Sequence, residues 1–327
     1  MIFPKAFRAK LLIAFAAALF GGPAIAQAQY PNRPITFVMT FSPGGPGDTL
    51  MRMAAPMLST RLNNAPIVFD YRAGAGGAVG ILSVINAAPD GYTVLYSSNG
   101  IVSDQALKLQ PAFDARKQLR PVTRAFDGFL GILASPRLPV NTLRELIEHA
   151  KVNPGKLNYA SPGPGSFAHL ASELFNQSAG INVVHVAYKG FGPVVAATMA
   201  NETQVLLTSA IATKPMWQAG KLKLLAIATG QRSAQTPDIP TAAEAGLPGF
   251  QALFWFGAFL PAATPDNVAS RLEREFIAVL KSPEIRDKVE PMGFSAGGST
   301  SDEFRRQVDA EIRQWEEVVR KAGIHRE

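Results

Sequence analysis

The stretch that decides the fold is Thr40-Phe41-Ser42-Pro43-Gly44-Gly45-Pro46-Gly47-Asp48, and Tyr159-Ala160-Ser161-Pro162-Gly163-Pro164-Gly165-Ser166 repeats its construction. Each joins a short apolar run to a helix-like segment, and each reads Ser-Pro-Gly, then Pro-Gly, then a residue that can cap a helix. We name them loop 1 (residues 40–48) and loop 2 (residues 159–166). In the plainer interpretation they are ordinary strand-to-helix turns capped by Asp48 and Ser166.

Both loops also have the chemistry of an anion site. Glycine lets the backbone approach a ligand closely, and the first amides of a helix have no partner within the helix. Those amides attract anions, so a carboxylate can be held without a basic side chain. Neither loop contains Lys or Arg. The matched pair therefore favours a small carboxylate bound between the loops, while the Asp48 carboxylate either caps its own helix or faces the ligand.

Strand-like and helix-like segments alternate outward from the loops. This alternation predicts an α/β fold of βαβ units, with mostly parallel sheets flanked by helices. The expected strands are 35–41, 67–71, 92–97, 129–134, 157–160, 183–187, 204–208, 222–229 and 254–260. The expected helices include 49–63, 78–88, 143–152, 167–179, 266–281 and 301–322. On the first of these, one apolar stripe is predicted to face the core: Leu50, Met53, Ala54, Met57, Leu58 and Leu62.

The order of these segments predicts two lobes. If strand 254–260 returns to the first sheet, the chain crosses between lobes near 124–128 and near 252–255, and two extended crossings make a hinge. The expected division is lobe 1 at 29–126 plus 255–327, and lobe 2 at 127–254. The ligand cleft then lies between the lobes, beyond the carboxyl ends of their strands.

The N-terminus and the composition set the compartment. Lys5, Arg8 and Lys10 precede an apolar run that ends in small residues, which predicts a secretory signal peptide over residues 1–28 and a periplasmic product.

The chain has no Cys, so a lipid anchor, thiol catalysis and thiolate metal sites are excluded. Net charge is +7, and removal of the three leader cations leaves a mild excess of +4. With its cations scattered, the chain is not expected to bind nucleic acid.

A third glycine-rich turn occupies residues 72–80, between a strand and a helix. It is not a dinucleotide fingerprint, because Val79 stands where Gly is required and no acidic residue follows at a strand end. Either it serves close helix packing, or Ala75 and Gly76 line the same cleft as the two loops.

An enzyme is the principal rival class, and its parts are missing from the sequence. No Gly-x-Ser-x-Gly elbow and no HExxH pair occurs. The histidines at 149, 169, 185 and 325 are too dispersed to predict a metal site. We therefore expect no catalytic residue, no metal and no cofactor.

Several further motifs carry a resemblance that covers nearly the whole mature chain. They are Tyr30-Pro31, residues 41–48, residues 72–77, Ala88-Pro89-Asp90-Gly91-Tyr92-Thr93, residues 154–161, His185-Val186-Ala187-Tyr188-Lys189-Gly190 and Glu244-Ala245-Gly246-Leu247-Pro248-Gly249. With these motifs the chain resembles the Bug family, the substrate-binding proteins of tripartite tricarboxylate transporters.

The resemblance implies a two-lobed type II periplasmic binding protein fold that holds a ligand carboxylate between the two loops, partly through water. Carried over by position, the ligand residues are Phe41, Gly44, Gly45, Asp48, Ser161, Gly163, Gly165, Ser166 and His169, with Ala75, Gly76, Ser98 and Asn99 lining the cleft. His169 lies three residues after the expected cap, so it either contacts the ligand or supports the turn from below.

One element departs from the family pattern. Where the family commonly has a Phe-Asp-Asn-like sequence, this chain reads Leu206-Leu207-Thr208-Ser209-Ala210, which leaves Thr208 and Ser209 as neutral hydrogen-bonding residues. The resemblance implies a monomer that delivers a di- or tricarboxylate, an aromatic carboxylate or a related acid to membrane permease subunits. A binder of an amino acid or another solute that serves a signalling receptor is the alternative.

Overall fold

The computed structural model describes residues 30–74, 77–107 and 111–324. The expected signal peptide, together with Ala75, Gly76 and His325, lies outside these residues. Within the described ranges, no helix combines the length and the apolar character that a membrane span needs.

Strands and helices alternate through the first third of the chain, as the sequence predicts. The elements are β1 Ile35–Met39, α1 Pro46–Arg61, β2 Ile67–Tyr71, α2 Ala78–Ile85, β3 Thr93–Ser98, α3 Gly100–Leu107 and α4 Ala115–Gln118. Parallel pairing gives the order β2-β1-β3. Helix α1 begins at Pro46, three residues before the expected start, because proline is well suited to the first helical position.

The rest of the chain supplies the second lobe and then returns. The elements are β4 Leu119–Ala134, α5 Leu143–Val152, β5 Asn158–Ser161, α6 Phe167–Ala179, β6 Val184–Ala187, α7 Phe191–Ala200, β7 Val205–Ser209, α8 Lys214–Gln218, β8 Lys223–Ile227, β9 Leu253–Pro261, α9 Asp266–Leu280, α10 Pro283–Val289, β10 Ser295–Ala296 and α11 Ser301–Lys321. Parallel strands again form the outer part of this sheet, in the order β6-β5-β7.

The two crossings between lobes are the long strands β4 and β9, which pair antiparallel along most of their length. Asp127 lies opposite Trp255 and Gly128 opposite Phe254. Beyond them, β4 continues into the second sheet beside β7 and β8. Since the crossings run in opposite directions, each sheet is parallel on its outer side and antiparallel where the crossing strands enter. Gly128 fits here because a Cβ at that position would lie 2.2 Å from the Phe254 ring.

Separate cores support the two sheets. Phe37, Leu58 and Phe276 belong to a buried cluster on one face of the first sheet, and Trp255 and Trp315 to a cluster on its other face. A further cluster fills the second lobe around β5, α5 and α6. The α/β two-lobed fold is therefore confirmed, while the residue boundaries 29–126 plus 255–327 and 127–254 stay a prediction.

The stripe predicted on α1 faces the first of these cores. Leu50, Ala54, Leu58 and Leu62 are fully buried, whereas Met53 and Met57 are half-buried and pack against its edge. The methionines of this helix are core residues, as expected.

Candidate ligand-binding cleft

The strand ends that carry the predicted site residues meet at one edge of each sheet. In the first sheet β1 and β3 are parallel neighbours, so loop 1 begins beside the end of β3. The hydroxyls of Thr40 and Ser97, 3.0 Å apart, join the two strand ends. In the second sheet β5 and β7 are parallel neighbours, which places loop 2 beside Thr208 and Ser209.

Loop 1 leaves the N-terminus of α1 without a side-chain cap. The N-cap residue is Gly45, and no side chain in the described ranges caps it. The interpretation of Asp48 as the cap is therefore wrong, because the helix starts earlier and Asp48 is its third residue. Pro46 has no amide hydrogen, so the free donors of this first turn belong to Gly45, Gly47 and Asp48.

The Asp48 carboxylate is buried and held by three donors. It accepts hydrogen bonds from the Gly44 amide at 2.8 Å, the Arg52 Nε at 2.9 Å and the Tyr71 hydroxyl at 2.5 Å. Burial acts to raise its pKa, but the bonds from Tyr71, Gly44 and Arg52 together hold the pKa of this carboxyl below its usual value. Asp48 is thus an ionised residue that fixes the shape of loop 1.

Sequence reasoning missed Arg52 and Tyr71. Arg52 lies four residues after Asp48, the spacing of an ion pair on a helix, and this signal could have identified it. Tyr71 ends β2, and nothing local in the sequence links it to Asp48. Its hydroxyl also accepts a hydrogen bond from Arg52 Nη2.

Aromatic side chains support loop 1 from below. The half-buried ring of Phe41 packs edge-on against Tyr96 and Phe256, with ring centroids 6.0 and 5.6 Å away. Between these rings lies Gly47, where a Cβ would come within 2.5 Å of Phe41 and 2.6 Å of Phe256. Only glycine fits this position, and it lets the helix start press against the aromatic cluster.

In loop 2 most of the backbone amides are already hydrogen-bonded within the loop. The Gly163 amide donates to Ser161 Oγ at 3.1 Å, and the Ser166 amide to the Gly163 carbonyl at 3.2 Å. Ser166 is the N-cap of α6, since its Oγ accepts the His169 amide at 3.3 Å. Loop 2 therefore offers the amides of α6's first turn, at residues 167 and 168, for which the described part of the loop supplies no acceptor.

Two histidines lie directly beneath loop 2. The Gly165 amide donates to His169 Nδ1 at 2.9 Å, so this buried imidazole supports the turn. The second ring is that of His185 on β6, which sequence reasoning did not assign to the site. Its Nε2 lies 2.6 Å from Ser161 Oγ, and its ring stacks on His169 with centroids 4.1 Å apart.

Four further predicted residues lie at the ends of β3 and β7 or directly after them. The backbone N–H of Asn99 donates to the Trp255 carbonyl on the crossing strand at 3.3 Å. The side-chain Nδ2 of Asn99 is buried with no hydrogen-bond partner among residues 30–74, 77–107 and 111–324. Ser98 Oγ accepts the Gly100 amide at 3.4 Å. Thr208 is buried, and Ser209 Oγ is engaged by the Ala212 amide at 3.2 Å.

The two lobes touch beside loop 2. A Cβ on Gly165 would lie 2.6 Å from Leu107 Cδ1, at the end of α3. Phe167 packs edge-on against Trp315 of α11, with centroids 5.6 Å apart, and Gln177 Nε2 donates to the Val318 carbonyl at 3.0 Å. A groove of about 230 Å³ lies along the C-terminal half of α6, remote from the Ser166 cap.

The structure thus assembles the predicted residues into two groups. Phe41, Gly44, Gly45 and Asp48 form one around the start of α1, and Ser161, Gly163, Gly165, Ser166 and His169 form the other around the start of α6. Ala75 and Gly76 lie outside the described residues. Two lobes joined by paired strands, each with a glycine-rich loop at the carboxyl edge of its sheet, define the class of two-lobed periplasmic binding proteins.

Comparison with known proteins gives the family. Residues 50–324 match the tripartite tricarboxylate transporter family receptor. The chain is 33% identical to the protein BugT of Bordetella pertussis (strain Tohama I) over 296 residues. This aligned region covers 90% of this chain and 90% of BugT. The chain belongs to the tripartite tricarboxylate transporter receptor family, and the resemblance to the Bug proteins is confirmed.

Solved structures show the same fold. An R. palustris protein determined with adipate is 31% identical, with a TM-score of 0.77 over 90% of this chain and 99% of that protein. MatC from Rhodopseudomonas palustris, determined with bound malate, is 30% identical, with a TM-score of 0.74 over 89% of this chain and 100% of MatC. The family is one of substrate-binding receptors, and these two relatives bind carboxylates.

Proposed function

We propose that this chain is a periplasmic solute-binding protein that captures a small carboxylate between its lobes and delivers it to the permease subunits of a tripartite transporter. It acts as a monomer, is exported by its N-terminal signal peptide, and catalyses no reaction. The observation that carries the proposal is the pair of helix N-termini, α1 and α6, that open at loops free of Lys and Arg.

Loop 1 is the stronger anion site of the two. Its helix has no side-chain cap, so the dipole and the first amides of α1 are open to a ligand oxygen. Loop 2 contributes the first amides of α6 together with the Ser166 hydroxyl. The ligand residues in this proposal are those carried over from the family except His169, whose Nδ1 is engaged by the Gly165 amide. Ser98, Asn99, Thr208 and Ser209 serve as neutral donors and acceptors.

The buried Nδ2 of Asn99 supports its assignment to the ligand. An unpaired buried donor costs roughly 1–3 kcal/mol, and a ligand or water oxygen beside Asn99 would remove that cost. The backbone N–H of Asn99 also reaches the crossing strand, because it donates to the Trp255 carbonyl. Asn99 therefore couples the floor of the cleft to the hinge.

The state of Asp48 disfavours the amino-acid alternative. A ligand ammonium group needs a free carboxylate, and the acidic element that the family has in lobe 2 is replaced here by Thr208 and Ser209. Asp48 already accepts three hydrogen bonds from the protein. A dicarboxylate or a monocarboxylate with a polar tail fits these groups better than an α-amino acid does.

A thermal-shift screen tests the proposal. The protein is unfolded and refolded to remove copurifying ligand, then heated with dicarboxylates, tricarboxylates, aromatic carboxylates and amino acids, each beside its neutral amide. At a hundred times Kd, binding adds about 2.7 kcal/mol to the free energy of unfolding and raises Tm by several degrees. A shift with the di-, tri- or aromatic carboxylates and not with their amides supports the proposal, whereas a shift only with amides or amino acids would overturn it.

Delivery is tested separately with the membrane partners. In detergent, the ligand-loaded chain is expected to copurify with the permease subunits encoded by its own host. Copurification with a signalling receptor in place of the permease would support the sensor alternative.

A further inference from the structure

The stacked histidines beneath loop 2 have no role in the proposed ligand contacts, yet each holds one end of the loop. His185 Nε2 meets Ser161 Oγ at 2.6 Å where the loop begins, and His169 Nδ1 accepts the Gly165 amide at 2.9 Å where it ends. Ser161 Oγ in turn accepts the Gly163 amide at 3.1 Å. The two rings therefore fix the backbone on both sides of the Pro-Gly-Pro turn.

We propose that His169 and His185 form a positioning pair that shapes loop 2 for an anion, and that it does so only while His169 is neutral. This inference rests on the proposed function, because it assigns a role within the same cleft. Neither residue contacts the ligand in it. They act through the Ser161 hydroxyl and through the backbone amides of Gly163 and Gly165.

The geometry at His169 determines its protonation state. Since Nδ1 accepts a hydrogen bond from an amide, the neutral ring carries its proton on Nε2. A second proton on Nδ1 would place a donor against the Gly165 donor and break that bond. The stacked arrangement also opposes protonation of both rings at once, because two imidazolium rings 4.1 Å apart repel each other.

The surroundings of the pair favour the neutral form. Tyr159 of β5 stacks on both rings, at 6.2 Å from His169 and 5.0 Å from His185. Its hydroxyl donates to Glu173 Oε1 at 2.5 Å, so that carboxylate is occupied by Tyr159. Burial, reinforced by the neighbouring His185, lowers the pKa of His169 to about 4, and burial also lowers the pKa of His185.

Matched substitutions separate positioning from simple packing. His169→Asn keeps an acceptor close to the position of Nδ1 and cannot take up a proton, while His169→Leu keeps volume and loses the acceptor. His185→Gln and His185→Leu form the same pair for Nε2. With adipate as the probe, the two Leu variants are expected to bind about tenfold more weakly at pH 7, a loss of about 1.4 kcal/mol, and the Asn and Gln variants within about twofold of the parent.

The pH profile is the readout that a packing role would not change. As the pH falls toward 4, His169 of the parent takes up a proton, so adipate affinity falls more steeply in the parent than in His169→Asn. Titration of the ligand and of His185 is common to both proteins. Parallel profiles for parent and Asn variant would overturn the proposal. Equal affinity of the Leu and Asn variants at pH 7 would also overturn it.

A measurement without ligand distinguishes this proposal from the proposed function. Imidazole ¹⁵N NMR of the unliganded parent should show His169 protonated on Nε2 alone and titrating well below its ordinary pKa of 6.5. The Gly165 amide resonance should shift with that titration. A proton on Nδ1 at pH 7, or an unmoved Gly165 amide, would contradict the pair's role even if adipate binds, and the Leu variants are not needed for this test.

Discussion

Replacement of Gly165 by alanine tests how closely loop 2 must approach the other lobe. Gly165 adopts φ +74°, in the left-handed region, where a side chain costs roughly 1–2 kcal/mol. An added Cβ would lie 2.6 Å from Leu107 Cδ1, about 1 Å inside an ordinary contact. The leucine tip can turn away at a cost of roughly 0.5–1.5 kcal/mol.

Gly180 provides the control for the backbone cost alone. It ends the same helix at φ +62°, and an added Cβ there meets nothing within 4 Å. Gly180→Ala should therefore lower the free energy of unfolding by about 1–2 kcal/mol. Gly165→Ala should lower it by about 1.5–3.5 kcal/mol, the backbone cost together with the contact cost.

Of the two costs, only the contact with Leu107 depends on how closely the lobes approach each other. Because the ligand binds between the lobes, this cost should weaken ligand binding. A contact cost of about 1 kcal/mol raises the Kd of Gly165→Ala about fivefold, whereas the Kd of Gly180→Ala should equal that of the parent. Leu107→Ala combined with Gly165→Ala should recover that fivefold loss. Urea unfolding measures the first quantity and isothermal titration with adipate the second. Equal Kd values for the two glycine variants, or no recovery in the double variant, would refute the reasoning.

Three further substitutions probe the loop and the hinge. Asp48→Asn should lower the free energy of unfolding at pH 7 by about 1–3 kcal/mol, and the difference should vanish as the pH falls well below 3.8, because a carboxyl with a lowered pKa stabilises only while it is ionised. Burial, only partly opposed by Arg124, raises the pKa of Asp127 to about 6. The free energy of unfolding of the parent relative to Asp127→Asn should therefore decrease as the pH rises from 3.8 to 6, because the unfolded chain ionises first. Melting at pH 4 and at pH 7.5 measures this difference. Gly128→Ala places a Cβ 2.2 Å from the Phe254 ring and should cost about 1–3 kcal/mol in urea unfolding, a loss that Phe254→Leu should relieve; a loss left unrelieved would contradict the packing argument.

The sequence predicts the fold well because its signals are local and periodic. Helices α5 and α6 begin and end where the pattern predicts, since Thr142 and Ser166 cap them and Gly180 ends α6. The start of α1 was misplaced because a proline within a glycine-rich stretch suggests a loop, whereas Pro46 occupies the first helical turn.

The site was predicted less completely, and its missing parts are long-range contacts. Tyr71 meets Asp48 from a different strand, and His185 meets Ser161 and stacks on His169 across two strands and a helix. No spacing rule in a single sequence links such residues, because the sheet order that joins them is a property of the fold. The sequence predicts that loops 1 and 2 form the binding site, and the structure shows which side chains hold these loops in place.

The most direct test of the account is a crystal structure of the chain with adipate, or with the dicarboxylate that gives the largest thermal shift. We predict carboxylate oxygens within about 3.2 Å of the first amides of α1 and α6, one carboxylate on each lobe, and no Lys or Arg side chain in contact with either. A carboxylate bound to a basic side chain, or a ligand outside the cleft between loops 1 and 2, would contradict the central claim.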